Sequence, residues 1–73
     1  MQMEEARHAF TLLAQRAGHV LVKFSPAEIV SNGNQWTETS CRRCGQAFSV
    51  GVSPSGNGHF APPERCPGVA RGR

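Results

Sequence analysis

Three cysteines carry the clearest chemistry in this sequence of 73 residues. Cys41 and Cys44 are separated by two residues and followed by Gly45, and Cys66 stands near the other end, before Pro67. Two cysteines at this spacing on a tight turn can point both sulfurs at one cation, and the glycine lets the chain turn back towards them. Zinc prefers a tetrahedron of thiolate and imidazole ligands. The pattern therefore predicts a rubredoxin-like zinc knuckle that receives a third thiolate from Cys66.

The fourth ligand of such a site must be a histidine, and there are two candidates. His59 lies in a predicted loop shortly before Cys66, and local spacing slightly favours it. His19 follows a predicted helix, and its use would tie that helix to the knuckle by closing a long chain segment through the metal. At least one of the two must be an ordinary surface residue. The spacing alone leaves the choice between them open.

Redox and catalytic uses of the cysteines fit the sequence less well. A thioredoxin-like site needs its first cysteine at a helix N-terminus, whereas Cys41 follows a predicted strand. A tetrahedral iron site prefers four sulfurs, and this chain has three. Zinc deaminases carry a His-x-Glu and a Pro-Cys-x-x-Cys, but no His-x-Glu occurs here and Ser40 precedes Cys41. We therefore expect a closed structural site, no enzymatic activity and no small-molecule substrate.

The order of these motifs resembles that of a known group of proteins. The chain carries Ala17-Gly18-His19, Trp36 on a predicted strand, Cys41-Arg42-Arg43-Cys44-Gly45 and Cys66-Pro67. Over residues 17–68 it is similar to small uncharacterised, zinc-ribbon-like proteins encoded by phages of actinobacteria. A Gly-His pair upstream and a Cys-Pro pair downstream recur around the knuckle in that group. The resemblance implies Cys41, Cys44, Cys66 and His19 as ligands, it carries no activity, and this chain departs from the group by having His59.

The elements that must position these residues begin with a helix over residues 3–17. Apolar residues recur there at spacings of three and four and define one buried stripe: Met3, Ala6, Phe10, Leu13 and Ala17. Gly18 stands where a left-handed residue commonly ends a helix. Residues 19–24 alternate like a strand, with Val20 and Val22 on one face. The candidate ligand His19 would then lie at the junction of helix and strand.

Short strands are expected along the rest of the chain. They are predicted over residues 27–30, 35–39 and 46–52, before a structureless loop over residues 53–63. Asn32-Gly33 is the strongest two-residue hairpin signal, and centring a turn there places Ile29 opposite Trp36. The last strand has Phe48, Val50 and Val52 on one side. This pattern predicts a small antiparallel sheet with one apolar face.

Size makes a metal plausible as part of the fold. A chain of this length buries only roughly 60% of its unfolded surface, and small scaffolds usually need a metal, disulfides or a partner. The sequence predicts a small α+β fold, in which an N-terminal helix and a short antiparallel, zinc-ribbon-like sheet unit are stabilised by one structural zinc. It predicts a single domain over residues 1–67 and a disordered basic tail over residues 68–73.

Charge and composition narrow the expected location and partners. The net charge is +3, and the arginines of the second half are Arg42, Arg43, Arg65, Arg71 and Arg73. No apolar run approaches the ~20 residues of a membrane span and no signal peptide is recognised, so a reducing cytoplasm is expected, the host's for a phage protein.

Two partner classes remain open after this. Arg42 and Arg43 at the knuckle tip, with Arg65 near the third cysteine, predict phosphate contacts with nucleic acid. The alternative is a phage-type protein-interaction factor that docks on or inhibits a host or defence protein, with Phe60 as an apolar anchor. Affinity for nucleic acid should fall steeply with salt, whereas an apolar protein interface should hardly respond.

Overall fold

One α-helix and a four-stranded antiparallel sheet make up the computed structural model, which describes residues 2–68. The elements are α1 (Met3–Arg16), β1 (Glu28–Ile29), a 3₁₀ turn (Ser31–Gly33), β2 (Gln35–Ser40), β3 (Ala47–Val52) and β4 (Gly58–His59). The strands lie in the order β1-β2-β3-β4, with every neighbouring pair antiparallel. The predicted α+β class, with a helix before a small antiparallel sheet, is therefore confirmed.

Helix α1 ends one residue earlier than predicted. Its stripe is buried at Met3, Ala6, Phe10 and Ala14. Leu13, predicted to belong to the stripe, is 36% exposed, and the small Ala14 takes its place where the chain reverses towards the sheet. The amide of His19 donates to the Ala14 carbonyl at 2.9 Å, and Gly18 has a φ of +89°, as the sequence predicted for the residue ending the helix.

The core lies between α1 and one face of β2 and β3. The buried side chains on that face are Thr37, Thr39, Phe48, Val50 and Val52. The ring of Phe10 packs on Phe48 at a centroid distance of 5.2 Å and on Phe60 at 5.4 Å. The strand predicted over residues 46–52 corresponds to β3, and its predicted apolar face is confirmed, because the alternate residues Phe48, Val50 and Val52 are all buried on one side.

Arg7 joins the helix to this sheet and is half-buried. Its Nη2 donates to the Ser25 carbonyl at 2.9 Å and to Thr37 Oγ1 at 3.2 Å, and its guanidinium carbon lies 5.7 Å from the centre of the Phe24 ring. This cation therefore serves the packing of the helix.

The predicted pairing of Ile29 with Trp36 is wrong. Trp36 lies opposite Glu28, because the turn contains three residues and not two, which shifts the register by one. Asn32 adopts a φ of +66° in this turn. Ile29 is 77% exposed. The Trp36 ring lies over Gly51 on the face of the sheet away from the helix, because successive strand residues alternate between faces and its neighbour Thr37 is buried under the helix.

Two other expectations about the chain path are corrected. Residues 19–24 do not form a strand, but they run beside the end of β2. An isolated bridge joins Leu21 to Cys41, and the Val22 amide donates to the Ser40 carbonyl. Leu21 packs against the core, whereas Val20 and Val22 are exposed, because only the first faces the helix. The predicted loop over 53–63 contains β4, which pairs with the end of β3. Of the predicted tail, residues 69–73 lie outside the described residues.

Candidate metal centre

Three sulfurs and one imidazole nitrogen converge at the end of β2. They belong to His19, Cys41, Cys44 and Cys66, and these ligand atoms lie within 4.8 Å of one another. The Sγ atoms of Cys41 and Cys66 are 3.8 Å apart, and Cys44 Sγ lies 3.7 Å from His19 Nδ1. Tetrahedral zinc with ordinary bond lengths needs sulfurs ~3.8 Å apart and a sulfur–nitrogen separation of ~3.6 Å. The donor types and their spacing therefore fit one metal ion.

The knuckle turn delivers two of the sulfurs. The Cys41 amide donates to the Gln46 carbonyl at 2.9 Å, and the Gly45 amide donates to the Cys41 carbonyl at 2.9 Å, which closes the turn. Gly45 has a φ of +79°, a conformation that favours glycine. The amides of Arg43 and Cys44 point at Cys41 Sγ, at 3.3 and 3.5 Å. Amide donors aimed at a sulfur stabilise its thiolate, which is the form that binds a metal.

The hydrogen bonding of His19 selects the tautomer in which Nδ1, the nitrogen that faces the sulfurs, is available as a ligand. His19 is 2% exposed, and its Nε2–H donates to the Glu64 carbonyl at 2.6 Å. Since a carbonyl can only accept, Nε2 carries the proton and Nδ1 keeps its lone pair, facing Cys44. The edge of the imidazole packs against Phe48 at a centroid distance of 5.0 Å. Such an outer hydrogen bond is the usual support of a metal-ligating histidine.

The third cysteine is anchored to the end of α1. The Cys66 amide donates to the Ala17 carbonyl at 2.7 Å, and Cys66 Sγ accepts a hydrogen bond from the Gly68 amide at 3.4 Å. Together with the bond between His19 and Glu64, this ties the C-terminal segment to the helix–sheet junction. The end of the segment between β4 and Cys66 is therefore positioned by one side-chain and one backbone hydrogen bond, and not by strand pairing.

The thiols do not share one electrostatic environment. Burial opposes ionisation of Cys41, but hydrogen bonds from backbone amides, chiefly that of Cys44, outweigh it and lower its pKa to about 5. At Cys44 a backbone hydrogen bond with Gln46 favours the thiolate, but burial and the neighbouring thiols of Cys41 and Cys66 raise its pKa overall. A cation among the three sulfurs would offset the repulsion between neighbouring thiolates, which adds to the effect of burial on the pKa of Cys44.

The other predicted site residues lie elsewhere. His59 is exposed in β4, opposite Gly51, and is not part of the sulfur cluster. Phe60 is half-buried against Phe10, so its ring belongs to the packing of the core. Arg42, Arg43 and Arg65 are exposed around the metal centre.

One basic residue near the site was missed by sequence reasoning. Arg16 lines a depression together with Arg43 and Arg65, beside Cys66. In the sequence Arg16 was notable only as a cation in the last turn of the helix, where it complements the helix dipole. The sequence did contain a signal that Arg16 lies near the site, because it precedes the candidate ligand His19 by three residues. If His19 binds the metal, the end of the helix and Arg16 must lie beside the metal centre.

Comparison with known proteins adds no assignment. No protein-family model, no curated protein and no solved structure matches the chain. The zinc-ribbon identity of the fold and the resemblance to phage proteins therefore stay predictions, as does the choice of ligands. Within residues 2–68, no helix has the length and apolar character needed to cross a bilayer.

Proposed function

We propose that the four residues hold one structural zinc in a zinc-ribbon-like unit without enzymatic activity. Three thiolates and one imidazole are the donors zinc prefers, and they supply all four positions of a tetrahedron, which leaves none for a reacting water. Zinc bound in this way contributes folding free energy, on the order of 10 kcal/mol in small domains. His19, Cys41, Cys44 and Cys66 would hold the ion, and the reducing cytoplasm is the compartment that suits free thiolates.

Metal analysis and chelation test this part. We expect one zinc per chain, and removal by a chelator should collapse the amide NMR dispersion of residues 19–66, because the core alone is small. A dispersed spectrum that persists after verified loss of zinc would contradict a structural role.

Nucleic acid is the proposed partner, and one observation carries it. Arg42, Arg43 and Arg65 are exposed at the metal end, and no hydrogen bond or ion pair within residues 2–68 engages their guanidinium groups. Free arginines gathered from two distant segments form a positive surface that attracts phosphates and positions a strand without reading its sequence. The net charge of +3 is in keeping with a small phosphate footprint.

Base stacking contributes less to this proposal than phosphate contacts. Of the aromatic residues that could stack, Phe48 is buried and Phe60 is half-buried. Trp36 is 39% exposed, but it lies at the far end of β2, ~17 Å along the strand from Cys41. We therefore assign affinity chiefly to the arginines.

The salt dependence of binding tests the proposal. With about three phosphates contacted on a single strand, the slope of log K against log salt should be roughly −2, and Arg42→Gln should make it shallower by roughly 0.7. Fluorescence anisotropy with a labelled oligonucleotide measures this, and Lys23→Gln, which removes an exposed cation outside the knuckle, is the matched control. Absent or salt-independent binding would contradict it.

In the alternative, this chain is a phage-type interaction factor that docks on or inhibits a host or defence protein. One observation favours it. β4 pairs with Gly51 and Val52 only, so residues 47–50 carry no strand partner on that side among residues 2–68. A groove lined by Trp36, Phe60 and Pro62 runs beside this edge. An extended peptide segment of a partner could add there as a strand. Because Phe60 also packs on Phe10, the test requires a Phe60→Ala variant with an unchanged far-UV circular dichroism spectrum. Salt-insensitive binding that is lost in this folded variant would favour the alternative.

A further inference from the structure

Three arginines from three separate segments line one depression. Arg16 comes from the last turn of α1, Arg43 from the knuckle and Arg65 from the C-terminal segment, and all three are exposed. No acidic residue is among its lining residues. The three segments meet where His19, Cys44 and Cys66 converge and where the Cys66 amide donates to the Ala17 carbonyl, so the depression lies against the candidate metal centre.

We propose that this depression binds the terminal phosphate of a nucleic-acid strand, an inference that rests on the proposed nucleic-acid function. Three arginines that line one depression suit a compact ligand with several acceptor oxygens, whereas an internal backbone is better served by cations spread along a track. A terminal phosphomonoester has three free oxygens and close to two negative charges near neutral pH. An internal phosphodiester carries one charge.

The net negative charge of the zinc site beside the depression is smaller than the positive charge of the three arginines. Three thiolates with one Zn²⁺ leave one net negative charge, against three positive charges from Arg16, Arg43 and Arg65. The carbonyls at the end of α1 would also repel an anion, but the Ala17 amide bonds the Leu13 carbonyl and the Ala17 carbonyl accepts from Cys66. The helix end therefore presents few free acceptors to the depression.

Two oligonucleotides that differ only at one end provide the test. The zinc-loaded full chain is titrated against a single strand with a 5′-phosphate and against the same strand with a 5′-hydroxyl, both labelled at the 3′ end. We expect the phosphorylated strand to bind about fivefold to tenfold more tightly. Buried charge-assisted hydrogen bonds would give a larger gain in affinity, but these arginines are exposed to solvent. Inorganic phosphate at millimolar concentration should erase the difference.

Matched variants assign the preference to the depression. Arg16→Gln and Arg65→Gln should bring the affinity ratio of the two strands close to one. Arg42→Gln removes the same charge from the neighbouring knuckle position, which does not line the depression, and should weaken both strands equally. Zinc content and far-UV circular dichroism verify that each variant is folded.

Each other outcome overturns a defined part of the proposal. Equal binding of both strands by the unaltered chain would overturn the terminal-phosphate site and leave nucleic-acid binding standing. A preference that survives Arg16→Gln and Arg65→Gln would overturn the depression as its location. Inorganic phosphate that binds as tightly as the phosphorylated strand would show a free-phosphate site, and failure of both strands to bind would overturn the proposed function itself.

Discussion

The two ends of β2 distribute polar and apolar residues in opposite ways. At the metal end, His19 and Cys41 are each 2% exposed. At the hairpin end, which comprises β1, the 3₁₀ turn and the start of β2, Ile29 is 77% exposed and Val30 is 45% exposed. Burial at the two ends therefore does not follow hydrophobicity alone, since a polar histidine is buried at one end and two β-branched apolar residues are exposed at the other. One end is marked by four side chains that could hold a metal ion, and burial of apolar area does little for the other end.

The two ends differ because more hydrogen bonds to distant parts of the chain restrain the metal end than the hairpin end. The metal end is closed by a backbone hydrogen bond from Cys66 to Ala17 and by a hydrogen bond from the His19 imidazole to the Glu64 carbonyl. The hairpin end has a first strand of two residues, paired with β2 only. A short edge strand with an exposed isoleucine adds little apolar burial, so the free energy of unfolding should depend mainly on the metal end and on the core beneath α1.

Removing a sulfur should have the largest effect. Cys44→Ser takes away a ligand shared by the sheet and the helix junction, and it should abolish the cooperative thermal transition and lower zinc affinity by more than about 100-fold. Met3→Ala is the comparison, and it should cost about 2 kcal/mol, the lower end of the range for a buried methionine, because Met3 lies in the first turn of α1. Thermal melts of both variants measure the two losses of stability. Equal losses would mean that the core, and not the metal, holds the fold.

Removing a histidine should have the next largest effect and should differ between the two candidates. His19→Ala should lower zinc affinity by about 10- to 100-fold and loosen α1, because the end of the helix is joined to the site through this residue. His59→Ala should change neither, since His59 is exposed in β4. Competition with a zinc chelator measures the affinities, and hydrogen exchange measures the helix. A greater loss of affinity in His59→Ala would refute the ligand assignment.

A smaller effect is expected on the outer face of the sheet. A Cβ at Gly51 would collide with the Trp36 ring, so Gly51→Ala should displace the indole, lower the free energy of unfolding by about 1–2 kcal/mol and shift the tryptophan emission to the red. Ser49→Ala, on the same face of β3, is the control and should leave the emission unchanged. Unchanged emission in Gly51→Ala would show that the ring does not depend on this glycine.

The smallest effect is expected at the hairpin end. Ile29→Ser should change the free energy of unfolding by less than about 0.5 kcal/mol, because the side chain is already in solvent. Val50→Ala, in the fully buried centre of β3, should cost about 2–3 kcal/mol in the same chemical denaturation experiment. Should the two variants prove equally destabilised, the contrast between the ends of β2 would be lost.

Local signals in the sequence predicted most of the elements but not how they meet. The left-handed Gly18 and the apolar face of Phe48, Val50 and Val52 were predictable, because capping and strand alternation act over a few residues. The pairing of Trp36 with Glu28 was missed, because it depends on one additional residue in a turn.

By itself, the sequence determined the knuckle pair, since two cysteines two residues apart reach one point through a local turn whatever surrounds them. Only the tertiary structure brought His19 and Cys66 to that pair and left His59 on an outer strand. The same is true of the basic depression, because Arg16, Arg43 and Arg65 are far apart along the chain. The reason is physical: spacing constrains neighbours within a turn, whereas distant residues meet only where packing and hydrogen bonds offset the entropy of closing a long segment.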